Sequence, residues 1–279
     1  MKHTTGTMKR IRHHNALQVF ESPLLSTSDG LVHFVTTRSG GVSQGEYASL
    51  NLGEYCGDEA AAVAENRKRL CRALCIAEDA LFVPYQTHES RIRLIDSSFL
   101  ALSKEQQRAA LQGVDALITR EPDVCIAVTT ADCVPLLLYA PEKKVIAAVH
   151  AGWRGTVLQI AAQTVAYMVE RFDCDVRQLR AFIGPAIGLA DYEVGDELVD
   201  AFRRIEPEVE RVIKEDPLTG KPHADLWEAN RLQLLRSGLF AEHIEVSGLS
   251  TYSHPEDFFS ARRQGVRSGR MLTGAVLQN

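Results

Sequence analysis

No stretch of this sequence approaches the ~18 consecutive apolar residues that a membrane-crossing helix requires. The basic N-terminal cluster, Lys9, Arg10 and Arg12 beside His13 and His14, has no apolar run behind it and is not a secretory signal. It reads as a frayed, solvated terminus, and the chain as a cytoplasmic one. A basic stripe is missing as well: 36 Asp and Glu against 31 Lys and Arg leave a formal net charge of −5, which does not suit a nucleic-acid-binding protein. Internal repeats, low-complexity tracts and Pro/Ser-rich linkers are absent, which favours one compact domain. Cysteine is sparse. Cys56, Cys71, Cys75, Cys125, Cys133 and Cys174 are expected as thiols or ligands in a reducing compartment, not as disulfides. Cys71 and Cys75 stand one helical turn apart with no second pair nearby, and read as packing residues.

What is present is a substantial apolar fraction, 45% hydrophobic against 24% charged, enough to bury a sizeable core. Val/Ile/Leu-rich runs bounded by turn residues predict strands at 31–37, 81–85, 91–95, 114–119, 124–130, 134–139, 144–150, 179–183 and 243–246. Asp58 is placed to cap a helix running to about Leu74, and Ser103 with Gln106 forms a capping box. The clearest helix is expected over 156–172, where Leu158, Ala161, Ala162, Val165, Met168, Val169 and Phe172 fall on one face. Another is expected over 225–235, with Gly238 as its stop. Several strands follow one another mid-chain without helices between them, unlike the alternation of a doubly wound sheet. The expected class is therefore α+β, with mixed sheets and helices on the outer layers.

Three segments concentrate reactive side chains. In Thr130-Ala131-Asp132-Cys133-Val134, a carboxylate and a thiol interrupt two buried-looking strands, and Asp132 needs a partner because an unpaired buried charge is costly. In Val149-His150-Ala151-Gly152-Trp153-Arg154-Gly155-Thr156, a strand ends on His150 and turns through two glycines into the strongest helical pattern. Unpaired N–H groups at such a helix start, with the Arg154 charge, suit a phosphate or carboxylate. In Gln86-Thr87-His88, a histidine follows a short strand. His88, Cys133 and His150 have no zinc-finger spacing, but ligands gathered from separate strand ends are a common way to build an enzyme's metal site, with a fourth position left open. The same residues also suit a thiol nucleophile, Cys133 activated by His150, and the packing alternative of a small core cysteine stands beside both. Arg38, in the turn after the first long strand, either contacts an anion or is a solvated loop residue; Asn51 either orients substrate or caps a turn.

Taken together, several segments resemble one family. They are TTRSGGVS at 36–43, SLNLG at 49–53, GDEAAAVAENRKRL at 57–70, QTH at 86–88, GVDALIT at 113–119, TADCVPLLL at 130–138, AVHAGWRGT at 148–156, IGPAIG at 183–188, DLWEANRLQL at 225–234 and HPEDFFSARR at 254–263. The likeness, specific in its ADC and HAGWRG motifs, is to the laccase-domain or multicopper polyphenol oxidase family of purine nucleoside phosphorylases. Its bacterial members are also called peptidoglycan editing factors. The resemblance implies a single-domain four-layer α–β sandwich over 18–279, preceded by a variable or poorly ordered segment 1–17. It implies zinc held by His88, Cys133 and His150, which also carry the chemistry, with Arg38, Asn51, Asp132 and Arg154 as candidate substrate contacts. It implies phosphorolysis of adenosine, inosine and methylthioadenosine, and deamination of adenosine, with purine nucleosides and phosphate as partners. Ser250 stands where many relatives carry cysteine, and Arg267-Ser268-Gly269-Arg270 varies the closing motif.

The H-x-E…P-C-x-x-C signature of the usual zinc deaminases is absent, so deamination would need a different constellation. Copper-dependent phenol oxidation is the older reading of such chains, but a multicopper oxidase needs many more histidines than the nine here. A Cys133–His150 amide hydrolase acting on cell-wall or peptide substrates, and a non-catalytic cell-wall factor with structural zinc, complete the alternatives. The oligomeric state has no signature in the sequence.

Overall fold

Two runs without polar alternation, VPLLLYA and VIAAVHA, set the architecture, because a strand with no polar face must be covered on both sides. The computed structural model describes residues 7–13 and 16–278, so His14 lies outside the described residues. Its strands are β1 Lys9–Arg12, β2 Gln18–Glu21, β3 Leu31–Thr36, β4 Leu81–Phe82, β5 Ile92–Ile95, β6 Ala116–Thr119, β7 Cys125–Thr130, β8 Val134–Ala140, β9 Val145–Ala151, β10 Arg180–Ile183, β11 Ile213–Glu215, β12 Pro222–Ala224, β13 Ile244–Val246 and β14 Met271–Leu277. One sheet has the order β1-β2-β3-β14-β7-β4 and the other β13-β10-β8-β9-β6-β5; β11 and β12 form a hairpin. Both large sheets are mixed: β4–β7, β5–β6 and β10–β13 pair parallel, and their other pairs are antiparallel.

Alternate residues of the same strands enter different cores, as the two-residue period of a strand dictates. From β7, Ile126 and Val128 join Leu137, Ile146 and Ala148 of the other sheet in a core between the sheets. Cys125 and Ala127 face outward, in a cluster with Leu70 and Leu74 at the end of the helix Ala60–Ala73. On the far side, Leu136, Leu138, Ala147 and Val149 pack with Ile160, Val165 and Met168 of the helix Ile160–Phe172 and with Leu232 of the helix Leu226–Arg236. The layers therefore run helix, sheet, sheet, helix in one domain. Among the described residues, no helix is long and apolar enough to cross a membrane.

Several expectations are corrected. Lys9–Arg12 does not fray: β1 pairs antiparallel with β2, Met8 is buried, and Arg10 forms an ion pair with Asp257. The helix expected over 156–172 is two helices, Trp153–Val157 and Ile160–Phe172, because Gln159 adopts a left-handed φ of 60° and interrupts the helical ladder. Leu158 and Val169, expected on the buried face, are 46% and 37% exposed. Asp58 is not the helix cap. Glu59 is, and Asp58 accepts hydrogen bonds from Ser43 Oγ at 2.6 Å and Asn51 Nδ2 at 2.9 Å. The strand expected over 81–85 shrinks to Leu81–Phe82. The Ser103 capping box and the Gly238 stop, at a positive φ, stand as expected, and the helix expected over 225–235 is Leu226–Arg236 with Asp225 as its cap.

Candidate metal centre

The connection from β7 to β8 crosses from one sheet to the other, and Cys133 sits in that crossing. His150 is the penultimate residue of β9, opposite Pro135 of β8. On the other flank of β9, Ala116 pairs with Val149, and the next step of that register brings Asp115 beside His150, whose N–H donates to the Asp115 carbonyl at 2.8 Å. His88 arrives from the loop after β4 with a left-handed φ of 64°. Sheet pairing thus gathers residues distant in sequence. The ligand atoms of His88, Cys133 and His150 all lie within 4.8 Å of one another, and the two imidazole planes meet at 81°.

Asp115, fully buried, is the residue that orders this cluster. Its carboxylate accepts from His150 Nδ1 at 2.8 Å and from the backbone N–H groups of Thr87, His88 and Glu89 at 3.2, 3.0 and 3.0 Å. One side chain therefore fixes the imidazole of one histidine and the backbone of the other. Burial alone would raise its pKa, but the His150 hydrogen bond and the backbone donors lower it. Burial would likewise raise the Cys133 thiol and lower His150. Their mutual attraction overrides both effects, holding Cys133 near 6 and His150 near 9, with Asp115 reinforcing the latter. Gly152 clears the floor: a Cβ there would stand 3.0 Å from Cys133 Sγ and 3.1 Å from His88 Cδ2.

The chemistry of this donor set fits a metal. Two imidazoles and a thiolate, with a carboxylate holding the far nitrogen of one imidazole, are the N/S ligands and outer support typical of zinc. The cluster opens into a cleft of about 630 Å³ that Tyr55, Tyr85, Trp153, Tyr192, Arg262 and Arg270 help to line.

The remaining expected contacts divide. Asp132 lines the cleft at a left-handed φ of 90°. Its carboxylate accepts from Thr251 Oγ1 at 2.7 Å and from the Arg262 N–H at 2.7 Å, which supplies the partners its burial demands. Arg154 is exposed and stacks 4.5 Å over the ring of Trp153, which lines the cleft; Arg154 itself is not part of the cleft wall. The helix it belongs to begins before it and has five residues, so the long-helix N-terminus expected behind an anion is not there. Arg38 donates from Nε and Nη2 to the Ala48 carbonyl and from Nη1 to that of Pro255, clamping two loops. Asn51, fully buried, holds Gly53, Asp58 and the Arg270 N–H together. Neither Arg38 nor Asn51 is brought to the cleft wall. Ser250 accepts from the Gly188 N–H at 3.1 Å and donates to Asp191 at 2.5 Å, so it serves as a loop fastener. Asp115 escaped the reading of the sequence, although an acid between the apolar Val114 and Ala116 carries the same signal that singled out Asp132.

The family model described as multi-copper polyphenol oxidoreductase laccase matches residues 32–278. A Bacteroides thetaiotaomicron protein named purine nucleoside phosphorylase is 45% identical over 91% of this chain and 94% of its own length. A protein named adenosine deaminase RL5, from an unknown prokaryotic organism, is 42% identical over 88% of this chain and 94% of its own. Among solved structures, YlmD from Geobacillus stearothermophilus superposes with a TM-score of 0.87 at 34% identity, covering 97% of this chain and 98% of that one.

Proposed function

The chain belongs to the multi-copper polyphenol oxidoreductase laccase family, and from that premise we propose that it is a zinc-dependent purine nucleoside phosphorylase that also deaminates adenosine. The observation that carries this reading is the His88–Cys133–His150 cluster at the base of an open cleft, in a chain with relatives named for both activities. Zinc is preferred to copper because three mixed N/S ligands suit an open tetrahedral zinc site, whereas multicopper oxidation needs further copper ligands.

When bound, zinc would supply Lewis acidity to a polar group of the substrate. The chain's own residues do the rest. Cys133, held as thiolate by His150, and the two imidazoles would hold the ion. Asp115 keeps the His150 Nδ1 proton engaged, so the opposite nitrogen faces Cys133. Asp132 fixes the Arg262 backbone and the Thr251 hydroxyl, and so sets the shape of the wall beside the cluster. Arg154, stacked on the cleft residue Trp153, would offer phosphate a positive charge. Arg38 and Asn51 act through the loops they hold.

A panel of nucleosides with and without phosphate, with products separated by chromatography, tests the reading. Adenosine should give adenine and ribose 1-phosphate only with phosphate present, and inosine with or without it. Neither product from metal-replete protein would refute the proposal.

A second reading rests on its own observation: Cys133, His150 and Asp115 stand in the order nucleophile, base and orienting carboxylate. A thiol amide hydrolase of this kind, acting on cell-wall or peptide substrates, would keep its activity after chelation. The metal enzyme would lose it.

A further inference from the structure

Large apolar side chains left in solvent near a site ask for an occupant, since aromatic faces gain most when another flat apolar surface covers them. Tyr55 and Tyr85 are 57% and 38% exposed, and their rings meet edge to face with centroids 4.5 Å apart. Both line the cleft that holds the metal cluster. Both also line a neighbouring cavity of about 290 Å³, so the pair stands on the wall between the two spaces. Neither ring is part of the three buried cores.

The mounting of Tyr85 is rigid. Its N–H donates to the Leu111 carbonyl at 3.0 Å, and its carbonyl accepts from the Gly113 N–H at 2.9 Å. It lies three residues before His88 on the segment that Asp115 holds, so its ring is registered against the metal cluster. The polar neighbours on this wall are already engaged. Gln86 donates from Nε2 to the Thr129 carbonyl at 2.8 Å and accepts with Oε1 from the Thr129 N–H and hydroxyl. Arg67 donates from Nε and Nη2 to the Leu52 carbonyl and pairs with Glu54. Apart from the two phenol hydroxyls, this wall therefore offers faces, with little free hydrogen-bonding capacity to read the edge of a base.

We propose that Tyr55 and Tyr85 form the purine-base subsite, which takes the base by stacking and discriminates weakly among its ring substituents. The inference deepens the nucleoside reading above and rests on it for the identity of the ligand. The part of the cleft lining where Arg262 lies 5.3 Å over the Tyr192 ring and binds Asp132 through its backbone is left for the polar part of the substrate.

The test is calorimetric titration of adenine and hypoxanthine into metal-replete protein, wild type against Tyr55→Ala, Tyr85→Ala and the corresponding Tyr→Phe variants, with metal content and melting temperature recorded for each. Base–aromatic stacking by this pair should make each Ala substitution weaken both bases by about 5- to 100-fold. Phe should recover most of that loss. Adenine and hypoxanthine affinities in the wild type should differ by less than about tenfold. KM for adenosine should rise with the Ala substitutions while KM for phosphate does not. Ala variants that bind both bases as wild type does, with metal content retained, would overturn the subsite, as would wild-type protein that binds neither base. Wild-type protein that binds adenine through these tyrosines but turns over no nucleoside would sustain the subsite and defeat the phosphorylase reading.

Discussion

At the scale of single residues, the cluster depends on one carboxylate as much as on its three candidate ligands. Asp115 accepts four N–H groups that converge from β9 and the 87–89 loop. Asp115→Asn keeps the shape but points an NH2 at donors, so metal affinity should fall about 10- to 100-fold. Competition against a chelator of known affinity measures this, and an unchanged affinity would mean that the histidines hold their places unaided. Cys133→Ala should lose the metal altogether while circular dichroism still reports a folded chain. Elemental analysis showing full zinc occupancy in that variant would remove Cys133 from the ligand set. The three candidate ligands stood out in the sequence, because polar residues at the ends of apolar runs do. Asp115 was harder to see, since its importance lies in four donors that only the folded chain assembles.

At the scale of elements, two features of the first sheet make testable demands. His33 on β3 is buried, and its Nε2 accepts from the Ser22 N–H at 2.8 Å. Burial, only partly opposed by the Ser22 backbone, lowers its pKa to about 4 from the ordinary 6.5. Between those values the unfolded chain binds a proton that the folded chain does not, so stability rises with pH across that window. It should drop by roughly 3 kcal/mol from this group alone as pH falls from above 6.5 to about 4. Urea unfolding of wild type and His33→Gln at pH 4.5 and 7.5 checks the sign. If both proteins show the same pH slope, the slope comes from other groups. Gly274, in the middle of β14, is packed so that a Cβ would stand 2.6 Å from Ala127 Cβ and 2.7 Å from the Ile126 carbonyl. Gly274→Ala should therefore cost about 1–3 kcal/mol by overpacking, read as a lowered denaturation midpoint. The glycine also hides the strand. MLTGAVL carries the small and polar residues of a turn in its centre, yet β14 pairs with β3 on one side and β7 on the other.

At the scale of the whole molecule, the candidate site lies where the two sheets meet: His88 follows a strand of one, His150 belongs to the other, and Cys133 lies in the connection between them. A metal there would tie the sheets together and bind only the folded chain. Protein held at a free metal concentration 100 times the dissociation constant should gain about 2.7 kcal/mol over the metal-free form, an increase in melting temperature of about 5 °C for a chain of this size. Scanning calorimetry before and after chelation tests it; identical melting temperatures would argue against a metal bound only by the folded state. What the sequence determined by itself was local and patterned. Doubly buried strands reveal themselves as continuous apolar runs, the Ser103 capping box by residue type, and the candidate ligands by polar groups set at strand ends. The tertiary structure alone decided the rest. It drew the 9–12 segment into a strand by pairing it with β2. It broke the helix at Gln159, turned Arg38 and Asn51 from candidate contacts into loop clamps, and placed Asp115 behind both histidines. The Arg38 bond to Pro255, the Asn51 hold on Arg270 and the Asp115 bond to His150 depend on hydrogen-bond partners far away in the chain. The identity of such partners is set by which strands pair and in what register, and no local window of residues contains that information.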